Sequence, residues 1–78
     1  MAEYLISYDL EPNATRDRYT RLGESLAKRG ARRVLLSQWV MVGASSRAIF
    51  DAVKDLFVTQ DRLLVSPYWD ITYHNLMS

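Results

Sequence analysis

Ala31-Arg32-Arg33-Val34-Leu35-Leu36-Ser37-Gln38-Trp39-Val40-Met41-Val42 is the stretch on which the fold turns. Its residues alternate, with Val34, Leu36, Val40 and Val42 set against Arg33, Leu35, Trp39 and Met41, which marks it as β-rich. A single strand usually runs to about 5–6 residues, and this stretch is far longer. Two strands are therefore expected, joined by a tight turn or sharp bend near Ser37 and Gln38, although no Gly or Pro punctuates it. Gly43 closes the section.

On the N-terminal side, Tyr4-Leu5-Ile6-Ser7-Tyr8-Asp9 reads as a first strand, with Tyr4, Ile6 and Tyr8 on one face and Leu5, Ser7 and Asp9 on the other. Pro12 and Asn13 break the pattern, and Thr15 is placed to cap a helix in which Tyr19, Leu22, Leu26 and Ala27 recur at helical spacing. Gly30 is the expected C-terminal stop of that helix. On the C-terminal side, Ser45 or Ser46 caps a second helix carrying Ile49, Phe50, Val53, Leu56 and Phe57. Asp61 then opens the strand Arg62-Leu63-Leu64-Val65-Ser66, stopped by Pro67, and Ile71 to Met77 alternates weakly as a short fifth strand.

The order strand, helix, strand, strand, helix, strand makes an α+β domain, and right-handed crossovers turn it into a ferredoxin-like βαββαβ sandwich with a short extra C-terminal strand. Both helices then cover one side of the sheet. Leu5 and Leu35, with Trp39 and Met41, are expected on the uncovered side, and an apolar surface of that kind points to a symmetric homodimer.

With 78 residues, the chain is read as one domain, 1–78, small enough to gain by further burial against a copy of itself. There is no cysteine, so disulfides, thiolate nucleophiles and Cys-ligated zinc are excluded. A single histidine, His74, rules out a His-rich metal site. The N-terminus lacks a basic region followed by an apolar one, and no apolar run approaches the ~20 residues that span a bilayer, so a soluble, cytoplasmic protein is expected.

Net charge is only +1, but Arg16, Arg18, Arg21, Lys28, Arg29, Arg32 and Arg33 crowd one short stretch opposed by Asp17 and Glu24. Eight of the ten basic residues are arginine, whose planar fork matches phosphate. The competing reading is a solvated helix face, since arginine is also a good helix former.

Asp9 is the residue that looks most like chemistry. Acids are depleted from strand interiors, and a carboxylate at the end of a strand followed by a crossover helix stands where ligands and metals are commonly met. Its structural alternative is a turn-forming acid ahead of Pro12. Arg16, Arg18 and Arg33 are the candidate phosphate contacts, the first two at a helix start that already favours anions. Ser7 and Tyr8 neighbour Asp9, Tyr8 being the better candidate for the core. Trp39 and Trp69 are candidates for base stacking, though tryptophans of small domains more often serve core or interface. His74 reads as a polar edge residue rather than a catalytic one.

Several of these features in order resemble a known family. Tyr8-Asp9 ends the first strand. The basic helix from Arg16 to Arg29 follows, then Gly30, Arg33-Val34 with Ser37 and Trp39, and Asp61-Arg62-Leu63 before the last strand. This series is similar to the small CRISPR-associated Cas-two family of spacer acquisition, often described as endonucleases, and to its diverged stand-alone relatives. The resemblance implies a homodimer of ferredoxin-like subunits with Asp9 as catalytic residue and metal ligand, the two copies facing each other across the two-fold axis.

Mg²⁺ takes one or two carboxylates together with waters and substrate phosphates, and two Asp9 copies would supply that pair. The ion would act as a Lewis acid on an RNA or DNA phosphodiester and activate a bound water. The resemblance equally implies a non-catalytic adaptor that binds DNA and an integrase-type partner. A third reading is a ferredoxin-like interaction or regulatory module, because such folds host many functions.

Overall fold

The computed structural model describes residues 2–68. Strand β1 (Ala2–Asp9) leads to helix α1 (Arg16–Lys28), a hairpin of β2 (Arg32–Leu35) and β3 (Gln38–Gly43), helix α2 (Ser46–Val53) extended by a 3-10 turn (Lys54–Leu56), and strand β4 (Arg62–Pro67). The four strands form one sheet in the order β2-β3-β1-β4, and every neighbouring pair is antiparallel. This is a small α+β domain whose element order agrees with the one expected. The fifth strand expected at Ile71 to Met77 lies outside the described residues. No helix among the described residues is long and apolar enough to cross a membrane.

The helix ends follow from local chemistry. The Thr15 side chain accepts from the Arg18 backbone N–H at 3.2 Å, and Ser45 Oγ accepts from the Ala48 N–H at 3.0 Å. At the far end of α1, Gly30 adopts φ 95°, a left-handed conformation that costs glycine little. This lets the N–H of Gly30 reach Ala27 O and the N–H of Ala31 reach Leu26 O, at 3.0 and 3.1 Å. That double closure satisfies two carbonyls at the end of the helix and brings Ala31 into the core beside Leu26.

Both helices pack on the same side of the sheet. Ile6 and Tyr8 of β1, Trp39 of β3, Leu22 and Leu26 of α1, and Ile49 and Val53 of α2 belong to one buried cluster, with Leu63 and Val65 of β4 against it. Ile6, Leu26 and Val53 are the largest fully buried side chains. Ala27, expected on the apolar stripe of α1, is exposed, and Gly23 takes the close approach instead. A Cβ at Gly23 would sit 3.2 Å from Trp39 Cζ2 and 3.0 Å from Arg33 Nη2, so the helix rests directly on the Trp39 ring.

The expected hairpin is present, its turn at Leu36 and Ser37, but the faces assigned to it need correction. Trp39 lies opposite Ile6 and Met41 opposite Tyr4, so both project toward the helices, Trp39 with 5% exposure. They are not on the uncovered side. The reason is a register shift between Arg33 and Leu35: Arg33 faces Trp39, whereas Leu35 faces Gln38, so the alternation read through the whole stretch changes face within β2. Leu5 and Leu35 do lie on the face away from the helices, as expected, together with Val40, Val42 and Leu64. Leu35, Val42 and Leu64 are exposed there, while Val40 is buried between Leu5 and Arg32.

Two ion-pair latches tie the connections together. Asp61, its side chain fully shielded from solvent, accepts from both terminal nitrogens of Arg18 at 2.9 and 2.5 Å. The same carboxylate takes the backbone N–H of Glu11 at 2.9 Å and of Val58 at 2.8 Å. Arg29, at the end of α1, bridges to both oxygens of Asp55 and to the Ala52 carbonyl.

Candidate nucleic-acid interface at the end of β1

Strand β1 runs out at Asp9, which is exposed on the face away from the helices. The turn of the β2–β3 hairpin is held beside this strand end by a backbone bond from Tyr8 N–H to Ser37 O at 3.2 Å. On the other side, the antiparallel register sets Arg62 of β4 opposite Asp9. Three chain segments far apart in sequence therefore meet here. Tyr8 anchors the spot from below. Its hydroxyl accepts from Trp39 Nε1 at 3.2 Å, and its ring packs 5.4 Å from that of Phe57. Burial pushes the Tyr8 phenol above its ordinary pKa, outweighing the opposing pull of the Trp39 hydrogen bond and the Arg33 charge. Tyr8 is thus a neutral structural phenol, in the core as expected.

Two concavities open at this strand end and share Asp9 and Ser37. One, of about 270 Å³, lies on the open face and is lined by Ser7, Gln38, Arg62 and Leu64, with Gln38 Nε2 donating to Ser7 Oγ at 3.0 Å. The other, of about 570 Å³, lies between the start of α1 and the β2–β3 turn and is lined by Ala14, Arg16, Tyr19, Arg33 and Leu36.

The arginines divide sharply between these concavities and the rest of the surface. Five of the eight pair with acids: Arg18 with Asp61, Arg21 with Asp17, Arg29 with Asp55, Arg32 with Glu3 and Arg47 with Asp51. The other three, Arg16, Arg33 and Arg62, have no acidic partner among the described residues, and all three line the concavities around Asp9. Arg33 is held in place by stacking, its guanidinium carbon 5.0 Å from the Trp39 ring centroid. Arg16 is the first residue of α1, a position where a cation opposes the helix dipole. Charge left uncompensated at one end of the sheet is the local property that attracts an anion.

Of the residues expected to form a site, Asp9, Arg16 and Arg33 come together, with Ser7 beside them. Arg18 does not: both terminal nitrogens are engaged by Asp61 on the helix side, so its role is to hold the fold. Trp39 is buried and serves the core. Trp69 and His74 lie outside the described residues. Arg62, Tyr19 and Leu36 were not picked out as site residues by sequence reasoning. Arg62 is recognisable only once the β1–β4 register is known, whereas Leu36 carries a local signal, a large apolar residue at a turn where polar residues and glycine prevail.

The donor set can be tested against a divalent metal. Among the described residues there is no cluster of three or more His, Cys, Asp or Glu side chains able to hold an ion. Asp9 of one chain, flanked by arginines, does not by itself fit Mg²⁺, which needs more oxygen ligands than one carboxylate supplies. No protein-family model matches this chain, and no curated protein matches it in sequence.

Proposed function

We propose that this protein is a cytoplasmic, homodimeric, ferredoxin-like domain that binds nucleic acid through the phosphate backbone, a stand-alone relative of the Cas-two proteins acting as a binding adaptor. The observation that carries the reading is the segregation of the arginines: the three without an acidic partner among the described residues are those around Asp9. The ferredoxin-like assignment rests on the strand order with antiparallel neighbours and on both helices lying against one face. The dimer rests on the exposed Leu35, Val42 and Leu64 of the opposite face.

The test is fluorescence anisotropy with a short labelled duplex and the corresponding single strand of DNA and of RNA, titrated across salt. Binding should weaken linearly on a log–log salt plot, and each of Arg16→Gln, Arg33→Gln and Arg62→Gln should reduce the slope by about 1. Arg21→Gln, which removes an arginine already paired with Asp17, should leave the slope within error. Absence of binding to all four ligands at low salt would reject this reading in favour of an interaction module.

A second reading, metal-dependent phosphodiester hydrolysis, is favoured by one feature: Asp9 is exposed and free of ion pairs among the described residues, so two copies could approach a common ion. It requires Mg²⁺-dependent cleavage that Asp9→Asn abolishes while the dimer survives. Cleavage persisting in that variant would remove it.

A further inference from the structure

The larger concavity has features that backbone binding does not use. Phosphate contact needs only an exposed positive surface, yet this depression of about 570 Å³ is of a size to take a small ligand and has apolar walls. Tyr19 and Ala14 form one side, both packed against the core and therefore stiff. Leu36 forms the opposite side, 72% exposed at the apex of the hairpin. A leucine this exposed at a turn contributes nothing to the core, and the position would favour Gly, Asn or Asp if turn geometry alone governed it. Arg16 and Arg33 stand in the same cavity with no acidic partner among the described residues, and Asp9 brings a carboxylate to its rim.

From this arrangement we infer that the cavity between α1 and the β2–β3 turn is a site for one nucleotide bearing a phosphomonoester, either a free nucleoside monophosphate or the phosphorylated terminal nucleotide of a strand. The phosphate lies with Arg16 and Arg33, the base between Tyr19 and Leu36, and Asp9 accepts hydrogen bonds from sugar hydroxyls, an arrangement in which its charge is not set against the phosphate. A terminal phosphate carries about −1.5 to −2 charges at neutral pH, against one for an internal phosphodiester, so two unpaired guanidinium groups favour the end of a strand over its middle. The base side is sequence-tolerant, since every base offers a flat face to stack or pack on. The inference rests on the polynucleotide reading only for its strand-end form; the free nucleotide form stands apart from it.

The test uses the intact chain and two sets of probes. Calorimetric titration with adenosine and uridine 5′-monophosphates is compared with inorganic phosphate, ribose 5-phosphate and the unphosphorylated nucleosides. Anisotropy compares short single strands carrying a 5′-phosphate, a 3′-phosphate or hydroxyls at both ends. The expected result is saturable monophosphate binding, about tenfold weaker for ribose 5-phosphate because the stacked base is missing. A phosphate at one strand end should tighten binding about tenfold over the hydroxyl strand, the gain of an added charge-assisted contact.

Leu36→Ser, at a position too exposed to affect folding, should weaken monophosphate binding about fivefold, whereas Arg21→Gln, outside the cavity and paired with Asp17, should leave it unchanged. Equal affinity for phosphorylated and hydroxyl strands together with no monophosphate binding would overturn the inference while leaving backbone binding intact. Monophosphate binding without affinity for any strand would support the site and overturn the polynucleotide reading instead.

Discussion

Replacing Asp61 by Asn isolates the charge of the latch that joins helix α1 to the connections before α1 and before β4. Asn keeps the shape and one acceptor oxygen, but its amide nitrogen must face a donor where the second carboxylate oxygen received Arg18 and the Val58 N–H. Breaking a buried ion pair by removing one partner costs about 3–5 kcal/mol. Because the Arg18 side chain retains 24% of its exposure and regains water when released, the lower end applies, about 3 kcal/mol. For a domain of this size each kcal/mol moves the midpoint by about 4–8 °C, so Tm should fall by roughly 12–24 °C.

The charge origin gives the effect a pH signature. The Arg18 guanidinium beside Asp61 holds its carboxyl well below the usual carboxylate range, helped by the Val58 and Glu11 N–H groups and against the burial that would raise it. A depressed folded-state value means that the stabilisation is complete above the unfolded value, about 3.9, and is lost as pH falls through the folded one. Thermal melts followed by circular dichroism should therefore give the full gap between wild type and Asp61→Asn at pH 7 and pH 5, and a smaller gap at pH 3. A gap below about 1 kcal/mol at pH 7, or one that does not change down to pH 3, would refute the reasoning.

Other perturbations test the core, the turn and the face away from the helices. Leu26→Ala, at a fully buried position, should cost about 3 kcal/mol in urea unfolding without changing the far-ultraviolet spectrum. Gly30→Ala forces a Cβ onto a backbone at φ 95° with open space around it, so the cost is conformational alone, about 1 kcal/mol. Leu64→Lys and Leu35→Lys place charge on exposed positions of the open face. If the chain pairs through this face as proposed, each should give a monomer in light scattering with the melting temperature of the monomer unit preserved, and a persistent dimer would exclude that face.

What could be read from the chain beforehand was what local chemistry determines. Thr15 and Ser45 cap their helices because a hydroxyl in an extended residue reaches the free N–H groups ahead of it, whatever the rest of the molecule does. The Gly30 stop and the β-rich hairpin are equally local. The face of Trp39 was not, because alternation holds only within one strand, and the shift between Arg33 and Leu35 reverses it before β3 begins. The site divided in the same way. Asp9, Arg16 and Arg33 stand out by type and position, whereas the partner that occupies Arg18 lies 43 residues further along. Arg62 joins the group only through the pairing of β1 with β4.

The stack of Gly23, Trp39 and Arg33 makes the molecule its own optical probe. The indole is enclosed by the core on one side and covered by a guanidinium on the other, with its N–H given to Tyr8. An anion that draws Arg33 off the ring alters the field on the indole without disturbing its packing, so emission should respond in wavelength or yield while the fold stays put. With Trp69 replaced by Phe, the steady-state emission of Trp39 would report occupancy of the neighbouring cavity with no label attached. Trp39, buried away from any base, then serves as the witness to whatever ligand does arrive.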